Sequence, residues 1–460
     1  MSNSSAKLEL ALELIDAGKL TTADSLCKEV SAAEPGNHSA IYLRGLIACQ
    51  SGNVEGALTK LSEAERLAPD DVSLKKTLAS LLLSTGDLVG AAERYRALAK
   101  RKNLTESDAV PLSQLGEGFR QNGNLGSAYE WFRYSLELQP ENKLALTGLF
   151  VCGQLSCDWS SLGELEQAVE AVTQSLLESG KVPIEDPFIH LTRSTSSAEN
   201  LKVARAWSEA LDVNGARSNG CNGLGDVPIR LGYLSSDLHE HATAYLMHRL
   251  FELHDRNKFE VFAYSCGPND GSPIRDRLER DCDQFRNIEG WDANQAAACI
   301  MEDQIQILID LKGHTRKNRL DIAARRPAPI QITYLGFPGS SGAPFFDYLV
   351  ADRIVLPEKD WQYFSEKPLL MPHCYQINSH QTVHKTLSRL DSGLPASGFV
   401  FCSFTNTYKI EPVMFERWMN ILKDTPGSVL WLCVNNALAE RNLHREAEAR
   451  DIAPERLIFA

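Results

Sequence analysis

The first third of the chain places its hydrophobic residues at helical spacing and interrupts them with glycine at a fixed interval. Gly18, Gly52 and Gly86 are 34 residues apart, and Gly123 follows after 37, with the extra residues near the polar stretch Lys100-Arg101-Lys102-Asn103. Each glycine precedes a polar residue (Lys19, Asn53, Asp87, Asn124), and five positions after each stands a small one (Ala23, Ala57, Ala91, Ala128). Pro35, Pro69 and Pro140 close three of the units, and Asn103 stands where the remaining proline is expected. This order predicts pairs of amphipathic helices. A tight turn at the glycine joins each pair, the small residue lets the helices approach, and the proline ends the second helix because it cannot continue the hydrogen-bond ladder. The run LGELEQAVEAVTQSLLESG (162–180) keeps the helical spacing, so the array extends over 1–180 with a helical cap.

The period changes after NGARSNGCNGLGD (214–226), which reads as a linker inside a connecting segment 181–227. Buried-type runs at 228–236, 259–267, 305–313, 330–336 and 346–356 alternate with amphipathic stretches such as 242–255 and 294–303. Strand–helix alternation predicts a mostly parallel, doubly wound sheet over 228–375, whose ligands bind at loops after the strand C-termini. A His/Ser/Thr-rich linker, 376–397, leads to a second α/β set over 398–460: strand 399–405, helix 411–423, strand 428–434, helix 437–450, strand 456–460. The fold class expected is therefore α plus α/β. The period of 34 with its order of Gly, Ala and Pro resembles the tetratricopeptide repeat, whose stacked units form a concave groove for a peptide or protein partner.

Lys+Arg is 47 and Asp+Glu is 60, a net charge of −13. That balance argues against non-specific nucleic-acid binding, which needs an excess of cations to neutralise phosphates. No apolar run approaches the ~20 residues of a bilayer span. The N-terminus shows no basic region followed by an apolar block. Eleven scattered cysteines without a CxxC pair read as free, mostly buried thiols in a reducing compartment, so a cytoplasmic chain without membrane partners is expected.

Candidate chemistry gathers at strand ends. The loop Ser235-Ser236-Asp237-Leu238-His239-Glu240-His241-Ala242-Thr243 follows the first strand. His241 could serve as a general base. Equally, Ser236 or Asp237 could cap the next helix, with His241 on its first turn. A metal held by His239 and His241 lacks an obvious third ligand. The loop GFPGSSGAPFFDY (336–348) could bring backbone N–H groups to an anionic or sugar ligand, or could simply be a tight turn; it has no Gly-Lys-Ser/Thr. Lys409, in Asn406-Thr407-Tyr408-Lys409, could oppose the charge of a leaving diphosphate or be a solvated surface lysine.

The segments IRLGYLSSDLHEHATAYLM (229–247), NDGSPIRDRL (269–278), LKGHTRKNRLDIAARRPAPIQITYLGFPGSSGAPFFDY (311–348), QYFSEKPLLMPH (362–373) and FTNTYKI (404–410) closely resemble the O-GlcNAc transferase family. Cys157-Asp158-Trp159 resembles its bacterial branch, and the likeness covers roughly 150–460 behind the family's repeat array. The resemblance implies a two-lobed GT-B glycosyltransferase that inverts configuration and needs no metal or other cofactor. It would move N-acetylglucosamine from UDP-GlcNAc to Ser or Thr of proteins. By motif position His241 matches the active-site histidine, Thr243 lies beside the donor, Gly336 matches a donor-contacting position, and Lys409 matches the lysine that pairs with the diphosphate. Asn406 stands where animal members carry glutamine. The family's later Gly/His/Thr-rich segment has no counterpart after Lys409, so a truncated second lobe with little activity of its own is expected. Two alternatives remain open: a non-catalytic protein-binding scaffold, and a relative that uses another sugar donor.

Overall fold

The glycines of the 34-residue period sit where the backbone needs them. In the computed structural model, which describes residues 3–211, 228–379 and 388–460, Gly18, Gly52, Gly86 and Gly123 have φ of 72°, 74°, 84° and 76°. That region is open to glycine and strained for residues with a Cβ. Each glycine joins a helix pair: α1 (Asn3–Asp16) to α2 (Leu20–Ala33), α3 (His38–Gln50) to α4 (Val54–Leu67), α5 (Val72–Ser84) to α6 (Leu88–Lys100), and α7 (Ala109–Gln121) to α8 (Leu125–Leu138). The polar residue after the glycine proves to be an N-cap. Asn53, Asp87 and Asn124 accept from the backbone N–H of Gly56, Gly90 and Ser127, while Lys19 makes no such bond. Ala23, Ala57, Ala91 and Ala128 are fully buried. The longer spacing before Gly123 is taken up by a short 3-10 turn, Glu106–Asp108. Helices α9 (Lys143–Ser156) and α10 (Leu162–Glu178) follow.

Residues 181–227, expected as a connector, hold two more helices, α11 (Pro187–Arg193) and α12 (Ser197–Glu209). An ion network fastens α11 to α10: Arg193 donates to Glu185 at 2.8 Å and to Glu170 at 2.7 Å. The expected linker 214–226 lies outside the described residues, as does 380–387 of the linker 376–397.

Parallel strands follow, with helices between: β1 (Ile229–Ser235), α13 (Ala242–Met247), β2 (Phe259–Ser265), α14 (Pro273–Asp281), β3 (Gln284–Asn287), α15 (Ala293–Glu302), β4 (Ile307–Asp310), α16 (Leu320–Ala324), β5 (Ile330–Thr333), β6 (Tyr348–Ala351) and β7 (Lys367–Leu370). They form one seven-stranded sheet in the order β3-β2-β1-β4-β5-β6-β7. Leu231, Tyr233, Val261 and Ile309 pack on one face against Met247, Phe251 and Leu278; Leu234, Phe262 and Leu308 pack on the other against Ala296 and Ile300. A parallel sheet covered on both faces reads as near-continuous apolar strands. The ladders are shorter than the apolar runs because residues beyond them turn into the loops that carry the chemistry. The helix expected over 242–255 ends at Met247, and turns carry the chain onward. β7 closes one edge of the sheet. Lys367 and Met371 donate inward to Asp347 and Ala351, and Pro368 lies between them.

The C-terminal segment supplies β8 (Val400–Ser403), α17 (Pro412–Asp424), β9 (Val429–Leu432), α18 (Ala437–Glu448) and β10 (Leu457–Phe459), whose strands are ordered β10-β9-β8. The chain divides into two compact units. One comprises Met1–Leu165, Ser403–Asp424 and Leu432–Phe459, the other Glu166–Cys402 and Thr425–Trp431. Among the described residues no helix is long and apolar enough to cross a membrane. The thiols are less hidden than expected: of the ten described, Cys27, Cys152 and Cys157 are buried, whereas Cys374, Cys402 and Cys433 are exposed. Exposed thiols occur where the cysteine stands on a loop or a short strand of the C-terminal segment rather than on a helix face turned to the core.

Candidate active site

Strand order reverses between β1 and β4, so the loops after them leave in different directions and open a crevice at the C-terminal end of the sheet. Asp237 follows β1, and Asp310 ends β4, with Lys312 two residues beyond. The Lys312 ammonium donates to both oxygens of Asp237, at 2.8 and 2.7 Å, and both side chains are nearly buried. The same carboxylate reaches three residues of its own loop: Ser236 at 3.2 Å, Thr243 at 3.4 Å and the His241 ring at 3.5 Å. Asp237 therefore organises His241 and Thr243 rather than capping α13.

The cap of α13 is His241 itself. Its Nδ1 accepts the Thr243 backbone N–H at 3.2 Å. A neutral ring with Nδ1 so engaged carries its proton on Nε2. Burial holds the imidazole below its ordinary pKa and outweighs the opposing pull of Asp237, while Lys312 and His239 lower it further. At neutral pH the ring is uncharged, half-exposed, and presents an N–H at Nε2. His239 lies beside it, with ring centroids 5.8 Å apart.

The motif NDGSPIRDRL supports this loop from outside. Asp270 accepts the Glu240 N–H at 2.8 Å, and the fully buried Arg275 donates to the Leu238 carbonyl at 3.1 Å and to Ser265 at 2.7 Å. The backbone donors on Asp270 bring its carboxyl down to about 2.

Gly336 lies against the end of β4. A Cβ there would stand 2.2 Å from the Leu311 carbonyl oxygen, so glycine is required by packing whatever it touches besides. Beyond it the loop is pinned by the buried Glu366, which accepts from Ser340 Oγ and from Ser341 N, both at 2.7 Å. Ser208 of α12 donates to the Ser341 carbonyl at 2.7 Å, so the helix from the expected connector also holds the glycine loop. The sheet unit thus carries His241 and Thr243 after β1 and Gly336 after β5, the two strands that flank β4.

Asn406 and Lys409 belong to the other unit, on one 3-10 turn after β8. Both are exposed. Among the described residues no carboxylate pairs with Lys409, and its ammonium lies 5.8 Å from the centre of the Tyr408 ring.

Sequence reasoning missed Asp310. It is fully buried, one oxygen accepts Lys312 N at 3.3 Å and Gly313 N at 2.6 Å, and the other has no protein partner. Burial pushes its pKa up to about 7 against those two donors. The unfolded carboxyl titrates near ~3.9, so between that pH and about 7 the fold binds a proton that the unfolded chain does not. Stability contributed by this group therefore falls as pH rises through that window, and its cost is complete above it. The Asp310→Asn variant lacks this titration. Its melting temperature relative to the parent should climb between pH 5 and pH 8, as followed by calorimetry. An unchanged difference would place the Asp310 titration elsewhere.

The glycosyl transferase family 41 model matches residues 218–389 and 386–460, and a tetratricopeptide repeat model matches 8–72. A probable UDP-N-acetylglucosamine–peptide N-acetylglucosaminyltransferase of Arabidopsis thaliana is 32% identical over 324 residues, 66% of this chain and 33% of its own length. The UDP-N-acetylglucosamine–peptide N-acetylglucosaminyltransferase of Caenorhabditis elegans is 24% identical over 434 residues, 67% of this chain and 37% of its own. The chain thus spans about a third of the length of these relatives. Among solved structures, a mutant of a Thermobaculum terrenum O-GlcNAc transferase superposes with a TM-score of 0.54 at 23% identity, covering 100% of this chain and 75% of that one. That likeness shows a shared fold.

Proposed function

The chain belongs to glycosyl transferase family 41, and on that footing we propose that it moves N-acetylglucosamine from UDP-GlcNAc to serine or threonine hydroxyls of proteins recruited along the helical array. The observation that carries this reading onto the present chain is the Asp237–Lys312 pair, which holds His241 and Thr243 at the reversal point of the sheet.

The transfer forms a bond from the acceptor oxygen to the anomeric carbon as the bond from that carbon to the diphosphate oxygen breaks. The electron pair leaves with UDP, and the acceptor hydroxyl passes its proton to a phosphate oxygen of the donor or, once the ring has released the Thr243 amide, to His241. Catalysis then has two demands, orienting the acceptor and offsetting charge that develops on the diphosphate. In this reading Lys409 meets the second demand, and Asn406 assists at the donor. Thr243 and the backbone around Gly336 contact the donor sugar and phosphate. His241, with Nδ1 engaged by Thr243, offers its Nε2–H to an oxygen of donor or acceptor; accepting the proton there would require the ring to release the Thr243 amide. No metal ion or cofactor enters the scheme. Exposed free thiols suit a cytoplasmic setting.

The test is to incubate the protein with UDP-GlcNAc and a Ser/Thr peptide and to follow the intact peptide mass, with UDP-glucose and GDP-fucose in parallel. Slow gain of one N-acetylhexosamine from UDP-GlcNAc alone is expected, in keeping with the little activity anticipated for this chain. Transfer from another donor would reassign the sugar. Capture of the peptide without transfer from any donor would support the scaffold reading instead.

A further inference from the structure

The last four carbonyls of a helix have no partner within it, and at the end of α9 the C-terminal segment supplies partners. The Leu155 carbonyl accepts from Thr407 Oγ1 at 2.7 Å and from Asn436 Nδ2 at 3.1 Å, and the Ser156 carbonyl accepts from Asn442 Nδ2 at 2.8 Å. Cys157 turns out of the helix with φ 51° and points its sulfur at the Thr407 carbonyl, 3.7 Å away. Burial pushes that thiol up to about 12, so it stays a weak donor rather than a thiolate. Arg445 reaches Asp158 at 3.4 Å, and Trp159 packs on Phe415 with ring centroids 5.3 Å apart.

Thr407 is the buried member of an otherwise exposed stretch: Thr405, Asn406 and Lys409 face solvent, and Thr407 is 2% exposed. It lies two residues before Lys409 on the same 3-10 turn, which is closed by Lys409 N to Asn406 O and by Ile410 N to Thr407 O, both at 2.9 Å. Its hydroxyl and its carbonyl both bond to the end of α9. The turn that carries Lys409 is therefore docked, through Thr407, on the Leu155 carbonyl and the Cys157 thiol at the end of a helix that continues the repeat array.

We propose that Thr407 is a positioning residue whose hydroxyl, by seating the Asn406–Lys409 turn on the C-terminus of α9, sets where the Lys409 ammonium meets a nucleoside diphosphate. The proposal rests on the reading of Lys409 given above. It makes the end of the repeat array part of the support of the donor site.

Thr407→Val keeps the side-chain volume and removes the donor. Leu155 O retains its Asn436 partner, so the fold is expected to persist, which circular dichroism checks. Two measurements follow. Hydrogen exchange of the Lys409 and Ile410 amides should quicken by about tenfold in Thr407→Val and return to the parent rate in Thr407→Ser. UDP affinity should weaken by about fivefold in Thr407→Val, recover in Thr407→Ser, and show no further loss when Thr407→Val is added to Lys409→Ala. A merely structural threonine would weaken UDP binding equally in the Lys409→Ala background, and that result overturns the proposal. So does unchanged amide exchange in Thr407→Val. If the parent protein binds no UDP, the assignment of Lys409 fails, and the exchange measurement alone decides whether Thr407 seats the turn.

Discussion

Replacing Lys409 with alanine should lower turnover of UDP-GlcNAc by about 10²–10³-fold, the loss typical when one preorganised group that offsets transition-state charge is removed. The expected size follows from the surroundings of the side chain. An ammonium already neutralised by a carboxylate gives little to a leaving diphosphate, and no carboxylate among the described residues pairs with Lys409. Its charge stays available for phosphate oxygens, and the docked turn limits how far the backbone beneath it wanders. The loss should fall on kcat more than on the KM for peptide, because the acceptor is bound by other elements. Lys409→Arg, which keeps the charge but shifts its centre, should recover part of the rate. Steady-state kinetics with peptide and donor varied separately makes the distinction. Equal loss of peptide affinity and turnover would instead give Lys409 a role in holding the acceptor.

The second large effect is on stability. Lys312→Met leaves the Asp237 carboxylate nearly buried without its ammonium, and breaking such a pair from one side typically costs about 3–5 kcal/mol. For a unit of this size that is a fall in melting temperature on the order of 10 °C. Adding Asp237→Asn should restore much of the loss, because the uncompensated charge is what destabilises. The single variant also makes a local prediction. Lys312 lowers the pKa of His241 and Asp237 raises it, so removing the lysine should raise it, visible as an upward shift in the NMR titration of the His241 ring. A melting temperature within about 2 °C of the parent would mean that water reaches Asp237 and screens it.

Much of the helical array was legible in the sequence because its constraints are local. A glycine with positive φ, a capping side chain on the next residue and a small residue one turn and a half later all act within a few positions. The central strands were legible for a related reason: burial on both faces leaves runs such as RLGYLS with little polar interruption. The edges of the sheet were not. β3, Gln284–Asn287, pairs on one side only and keeps polar residues at both ends, so it carries no apolar signature, and β7 holds a proline. Helix α11 was hidden by its shortness, and α12 by polar capping residues that also mark loops. The loop positions of His241, Thr243, Gly336, Asn406 and Lys409 after their strands were readable, whereas the supports of those loops were not. Lys312 meets Asp237 across 75 residues of sequence, and Glu366 holds a serine pair 25 and 26 residues away. Such pairings depend on which strand lies beside which, a property that spacing does not encode. The packing need for glycine at 336 was equally invisible, since it arises from a carbonyl on another strand.

The proline on the closing strand bears on self-association. Alternate amides of a strand point to opposite sides, and those of Lys367 and Met371 are spent inward on β6, so the outward row falls to Pro368 and Leu370. Proline has no N–H to give. A second chain arriving at this edge would find one donor where a regular strand offers two, next to the positive charge of Lys367, and would gain too little to nucleate a growing ladder. The exposed edge of an open parallel sheet can template added strands, and one imino acid at this rim removes one of its two outward donors. Pro368→Val should then leave the fold intact and show itself only on concentration or agitation, as thioflavin-positive material that the parent chain does not form.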